Sequence, residues 1–151
     1  MGLTSDGVIQ MAENVLKMQQ EFLDFLNQFL LEMGLRALAK TKKRTPVRTG
    51  FLRNSWQVSD VERDGNQLVI YLTNSAEYAS YVEEGHQAYK WSRGEDGKRV
   101  KGDKGKYVEG YHMARISLAE INREIPPRFK QSFVKWTQRL SLWQLLIIIK
   151  L

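Results

Sequence analysis

Residues 5–44 carry apolar side chains at steps of three and four: Val8, Met11, Val15, Met18, Phe22, Phe25 and Phe29. That period predicts one long amphipathic helix, with Ser5 or Asp6 placed to cap its first free N–H groups. A second set, Ile9, Leu16, Leu23, Leu26, Leu30 and Met33, widens the apolar face. Such a helix runs roughly 55–60 Å, longer than a domain of this size is wide. Part of it is expected to project, or the helix to break near Gly34. The broad face from Phe22 to Met33 is expected to meet another subunit as well as its own core; the simpler alternative is a helix that faces only its own core.

The period then changes. Residues 52–59 and 67–73 read as strands, and Leu68-Val69-Ile70-Tyr71-Leu72 is rich in β-formers. Glu62-Arg63-Asp64-Gly65-Asn66 between them is a hairpin turn. Residues 76–84 predict a short helix, with Asn74 or Ser75 as cap and Gly85 as stop. Residues 86–106 hold Gly94, Gly97, Gly102 and Gly105 among charges, which predicts a long loop at the tip of a hairpin, with 106–111 as the returning strand. Residues 113–124 have helical spacing again. Pro126-Pro127 breaks it and suits the start of another helix, 128–140, with Phe129, Phe133, Trp136 and Leu140 on one face. The run Leu142 to Leu151 is too apolar to stand in water and too short to span a bilayer. It is expected to be buried in its own core or a neighbour's, or to depart from the native end.

The expected architecture is α+β in a single domain, 1–151. A long N-terminal helix (5–44) packs on a small antiparallel β-sheet within 45–111, which includes the short helix 76–84 and the long hairpin loop 86–106. Two C-terminal helices (112–140) and the apolar tail (141–151) follow.

Composition narrows the chemistry. The chain has 151 residues, 42% of them hydrophobic and 26% charged, ordinary for a globular domain with a real core. With no cysteine there is no disulfide and no thiolate chemistry. Met1 to Gln10 lacks a basic stretch followed by an apolar block, so no secretory signal is expected, and no apolar run is long enough for a membrane span. The net charge of +6 is banded: residues 1–35 carry −4, 36–53 carry +7 with no acid, and 54–84 carry −5. Banding of this kind suits a polyanionic partner, or copies of one chain meeting acidic face to basic face.

Candidate chemistry is sparse. His86 and His112 lack ligand spacing to each other or to carboxylates, so no metal and no cofactor is expected. Glu83-Glu84 beside His86 reads as an exposed helix end rather than an acid/base pair. Ser55, Ser75 and Ser80 lack a nucleophile elbow, and the glycines of 94–105 lack the order of a P-loop. For nucleic acid, Tyr89, Trp91 and Tyr107 interleave with Lys90, Arg93, Lys98, Arg99, Lys101, Lys104 and Lys106. That pattern suits phosphate contacts with some stacking. Glu95, Asp96 and Asp103 dilute it, and no sequence-reading module is visible.

Two stretches carry more information together than apart. The first is Thr45-Pro46-Val47-Arg48-Thr49-Gly50-Phe51-Leu52-Arg53-Asn54-Ser55; the second is Asn74 followed by Tyr78-Ala79-Ser80-Tyr81-Val82-Glu83 and Gly85-His86. Pro46 biases Thr45 away from the helical region and Gly50 tolerates a positive φ, so a corner is expected there. The pair resembles the HK97-type tail-component family of tailed phages and prophages, in which a helix, a hairpin and a second helix come in the same order. The resemblance covers roughly residues 10–140, with its motifs confined to 45–86.

The resemblance implies a structural, non-enzymatic virion protein at the head–tail interface, assembled in the host cytoplasm. It implies a ring, hexamer or dodecamer, with neck, connector or tail-tube and terminator proteins as neighbours and no membrane. The implied structural and interface residues are Thr45, Pro46, Arg48, Thr49, Gly50, Leu52, Arg53, Asn74, Tyr78, Ala79, Tyr81, Glu83 and Gly85. The basic loop would face DNA or the next ring. Within the corner, Tyr78 and Tyr81 are expected to pack across the hairpin against the long helix, and Glu83 to pair with Arg48 or Arg53. The alternative is a small basic nucleic-acid-binding module.

Overall fold

The computed structural model describes residues 5–148, and within them the side chains of 9, 10 and 12–140. Helix α1 (Ser5–Arg44) leads into a one-turn helix, α2 (Phe51–Asn54). Strands β1 (Trp56–Val58), β2 (Glu62–Asp64), β3 (Gln67–Val69) and β4 (Leu72–Asn74) follow, then α3 (Ala79–Glu84). Strands β5 (Gly85–Arg93) and β6 (Arg99–Glu109) precede the last helix, α4 (Met113–Ile148). The fold is mixed α+β with small antiparallel sheets. Among the described residues no helix is long and apolar enough to cross a membrane.

Helix α1 does not break at Gly34. The hairpin presses on it there instead: a Cβ on Gly34 would come 2.5 Å from Ile70 Cδ1 and 3.2 Å from Val58 Cγ1. Glycine is the residue that lets a sheet sit this close to a helix. The first sheet is one hairpin in two pieces. β1 pairs with β4 and β2 with β3, all antiparallel, around a turn that narrows to Gly65-Asn66. Between the pieces, Ser59 N donates to Tyr71 O (2.9 Å) and Tyr71 N donates to Ser59 Oγ (3.0 Å).

Three expectations need correction. The strand expected over 52–59 begins only at Trp56, because Gly50 caps a helical turn in which Asn54 N donates to Gly50 O (3.0 Å) and Ser55 N to Phe51 O (2.9 Å). The segment 86–106, expected as a loop, is mostly the β5–β6 ribbon, with a tight turn at its end. The two C-terminal helices are one: α4 passes through Pro126 and Pro127. Each proline removes a backbone donor, yet α1 grips α4 on both sides of them. Ile121 and Ile125 before the prolines, and Phe129 after them, pack with Phe29, Met33 and Ala37. The expected burial of the apolar tail falls on side chains outside those described.

The α1–α4 contact is antiparallel and has two parts. Phe22, Phe25 and Phe29 mesh with Phe129, Phe133 and Trp136, with centroids 5.3 Å apart for Phe29–Phe129, 5.4 Å for Phe25–Trp136 and 5.5 Å for Phe22–Trp136. Such pairs contribute about 0.5–1.5 kcal/mol each beyond their buried area. Farther along, Lys40 Nζ bridges Glu120 (2.9 Å) and Glu124 (2.8 Å), and Arg44 reaches Glu120 and donates to Ser117 Oγ (3.0 Å). Much of the basic run 36–53 is thus engaged inside the molecule. A second core gathers Leu52, Trp56, Ala76, Ala79 and Met113, which ties the corner to the start of α4.

Phe29 is buried between the helices. Phe29→Ala is expected to destabilise the protein by about 3 kcal/mol, read from the urea midpoint; a loss under about 1 kcal/mol would show that the ring ladder matters little.

Hydrogen bonds from Lys40 and then Arg44 hold Glu120 below the ordinary carboxylate value of 4.5, and those from Lys40 and then Arg128 do the same for Glu124. The hydrogen bonds to Glu120 and Glu124 raise Lys40 above 10.5. A depressed carboxylate contributes fully above its unfolded value and loses that contribution as pH falls through its folded value; for the raised lysine the loss comes above 10.5. Wild type and a Glu120→Gln, Glu124→Gln variant should therefore differ in urea stability at neutral pH, and the difference should shrink as pH falls below 4.5. A difference that stays constant into acid contradicts this.

Candidate functional site

The two motif stretches come together at the corner where α1 ends. Thr45 is buried, its N–H and its hydroxyl both donating to Thr41 O (3.0 and 2.8 Å). Gly50 sits at φ 84°, in the left-handed region that glycine adopts without strain, and Thr49 Oγ1 accepts from Phe51 N (3.4 Å). Leu52 and Ala79 are buried in the core beneath.

The polar motif residues act as connectors. Asn74 Nδ2 donates to Leu52 O (3.0 Å) while its Oδ1 accepts from Ala76 N (2.9 Å), so one side chain ties α2 to the approach of α3. An aspartate there has no donor for the first bond. Arg53 Nη2 donates to Thr45 O (3.2 Å), a cation placed just past the C-terminus of α1. Glu83 caps the other long helix: its carboxylate accepts from Ala114 N (3.1 Å) and Arg115 N (2.9 Å) in the first turn of α4. Each charge thus lies at the helix end whose dipole favours it.

Two expectations about the corner fail here. Glu83 pairs with neither Arg48 nor Arg53, because its two oxygens are taken by free N–H groups of α4, which have no partner within the helix. Tyr78 and Tyr81 do not pack on α1. The turn of α3 puts Ala79 and Val82 inward, leaving Tyr78 against Phe51 (6.4 Å) and Tyr81 against His86 (5.8 Å), both exposed. Of the expected interface residues, Pro46, Arg48, Thr49, Gly50, Leu52 and Tyr78 line a cleft of about 520 Å³ together with Val47 and Val82. Val47 (53% exposed) shares that cleft with Tyr78, and Phe51 (57%) lies against the Tyr78 ring, so the three form an apolar surface.

Several contacts at this corner escaped the sequence reading. Tyr111 N donates to Val82 O (2.8 Å) and His112 N to Glu83 O (3.0 Å), with His112 at φ 49°. Tyr107 Oη donates to Glu84 O (2.9 Å). Gly110 lies so close to Glu83 O and Gly85 N that no Cβ fits, and Gly85, at φ 84°, is equally hemmed in by Val108 O at 2.5 Å. The one hint was a glycine just ahead of a predicted helix start. The basic residues Lys90, Arg93, Lys98, Arg99, Lys101, Lys104 and Lys106 lie away from this corner, on the ribbon and its turn. Among the described residues no group of three or more His, Cys, Asp or Glu side chains gathers in a way that would hold a metal ion.

The cap gives a direct test. Glu83→Ala should lower stability by about 1–2 kcal/mol in urea unfolding, the usual cost of a lost helix cap with its dipole contribution. Glu83→Gln, which keeps an acceptor oxygen, should lose less. Equal losses would mean that the charge and not the hydrogen bonding carries the effect.

The family model for HK97-gp10-like bacteriophage tail components matches residues 9–85, which span most of α1, the corner and both motif stretches up to Gly85. No curated protein and no solved structure matches the chain.

Proposed function

The chain belongs to the HK97-gp10-like family of bacteriophage tail components, and from that membership we propose that it joins or completes the tail at the head–tail interface as one subunit of a ring. It is a structural protein of the virion on this reading, without catalysis, and its neighbours are copies of itself and the connector or tail-tube proteins above and below. One observation carries it: the motif's buried members build the corner, while its exposed aromatic members do no work inside the chain. Tyr78 (43% exposed) lines a cleft with Val47 and packs on the exposed Phe51, and Tyr81 (58%) stands out one turn along α3 against His86. Apolar surface grouped in this way marks a docking face.

The opposite surface is available on the same chain. Ile9, Val15, Leu16 and Met18 are exposed on the first half of α1, in a stretch that also holds Glu13, Glu21 and Asp24. The corner is rimmed by Lys42, Lys43 and Arg48, which make no ion pair among the described residues. A basic, apolar corner against an acidic, apolar helix of the next copy is a heterologous contact, the kind that closes into rings.

Val47→Glu and Tyr78→Glu together should leave the melting curve nearly unchanged, since both side chains are exposed. The same pair should abolish joined particles in a phage complementation assay and rings or tail-bound subunits in electron micrographs. Wild-type assembly by a folded double variant would rule the corner out as the docking face.

A further inference from the structure

Two lysines and a tyrosine of β6 are spaced in a way a regular strand would not put on one face. Lys101, Lys104 and Tyr107 recur every third residue, whereas a strand alternates its faces every second. In a regular strand Lys104 would point away from the other two. The register shows a different outcome: Tyr107 stands opposite Gln87, Lys104 opposite Tyr89, Lys101 opposite Trp91 and Arg99 opposite Arg93. Cross-strand partners share a face, and 87, 89, 91 and 93 alternate regularly, so all of these side chains share one.

Two bulges make this possible, between Gln87 and Tyr89 and between Tyr89 and Trp91. A glycine of β6 sits in each. A Cβ on Gly102 would meet Lys90 O at 2.9 Å, and the carbonyl of Gly105 is taken by Gln87 Nε2 at 2.7 Å. The face so formed holds Arg93, Arg99, Lys101 and Lys104 with Tyr89, Trp91 and Tyr107, and its acid, Glu109 opposite Gly85, lies at the base of the ribbon beyond Tyr107. Glu95 and Asp96 are in the end turn, where Asp96 is occupied by Lys98. Asp103 sits with Gly102 in the bulge, opposite Lys90. Lys101 Nζ lies 3.6 Å over the Tyr89 ring, and Trp91 is 59% exposed.

We propose that this face of the ribbon binds the phosphate backbone of nucleic acid without regard to base sequence. Four cations on the outer stretch of one face, with no acid between them, supply phosphate contacts, and the exposed Trp91 ring lies against sugar or base. The inference stands on the ribbon's register alone and does not depend on the corner or on ring formation.

The test uses the full chain and a labelled random-sequence DNA duplex in fluorescence anisotropy, between about 50 and 200 mM salt. Four phosphate contacts predict a slope of log affinity against log salt of about −3 to −4. Lys101→Gln with Lys104→Gln should weaken binding at least tenfold at the lower salt and make the slope shallower by about 2. Lys90→Gln with Lys106→Gln removes the same charge from positions off this face and should cost less than about threefold. These lysines are all exposed, so thermal melting should confirm that both double variants fold as wild type does. Equal losses in the two double variants would overturn the face-specific reading. A wild-type chain that fails to bind at the lower salt would overturn it entirely and point to an acidic protein surface as the partner.

Discussion

Aromatic rings at one end and carboxylate–ammonium pairs at the other hold α1 against α4, and the rest of the molecule is attached to that pair. Two-stranded hairpins are marginal by themselves in water, and among the described residues the sheets are all two-stranded. They persist because the helices give them something to lie on. Ile70 and Val58 press into the gap at Gly34, and Trp56 and Leu72 share a core with Leu38 and Met113. The prolines within α4 fit the same logic. A helix held only by its own hydrogen bonds would end at Pro126, whereas α4 is held by side chains that reach α1 on either side of the interruption.

The motif residues then take on a definite meaning. Arg53 and Glu83 look, in sequence, like partners for each other. In the fold they serve the opposite ends of two different helices, one closing the C-terminus of α1 and the other opening the N-terminus of α4. Asn74 uses both halves of its amide to join the segments between them. A family fingerprint of this kind marks how the corner is built, and what the corner presents outward is left to Val47, Phe51, Tyr78 and Tyr81.

The long first helix, the hairpin at Gly65, the short helix after Asn74 and the corner at Pro46–Gly50 were all legible, because periodicity and turn chemistry are local signals. The ribbon was not. Its glycines and charges look like a loop, and only pairing across to Gln87–Arg93 reveals that Gly102 and Gly105 are bulges. The continuity of α4 was also hidden, since a double proline is a strong local stop and the forces that override it come from residues a hundred positions earlier. The roles of Tyr78, Tyr81 and Glu83 were misread for one reason: a sequence names candidate partners by charge and size, and the identity of the nearest free N–H groups is a matter of three-dimensional neighbourhood.

The ribbon's bulges have a bearing on how this arm tolerates change in length. Inserting or deleting one residue beyond Gly105 reverses which side of the ribbon every later side chain occupies, while the loss of a whole glycine-bearing triplet together with two residues of the facing strand keeps the count intact. Related arms should therefore vary in size by steps and not continuously, and a shorter or longer version would still show its cations in a single row.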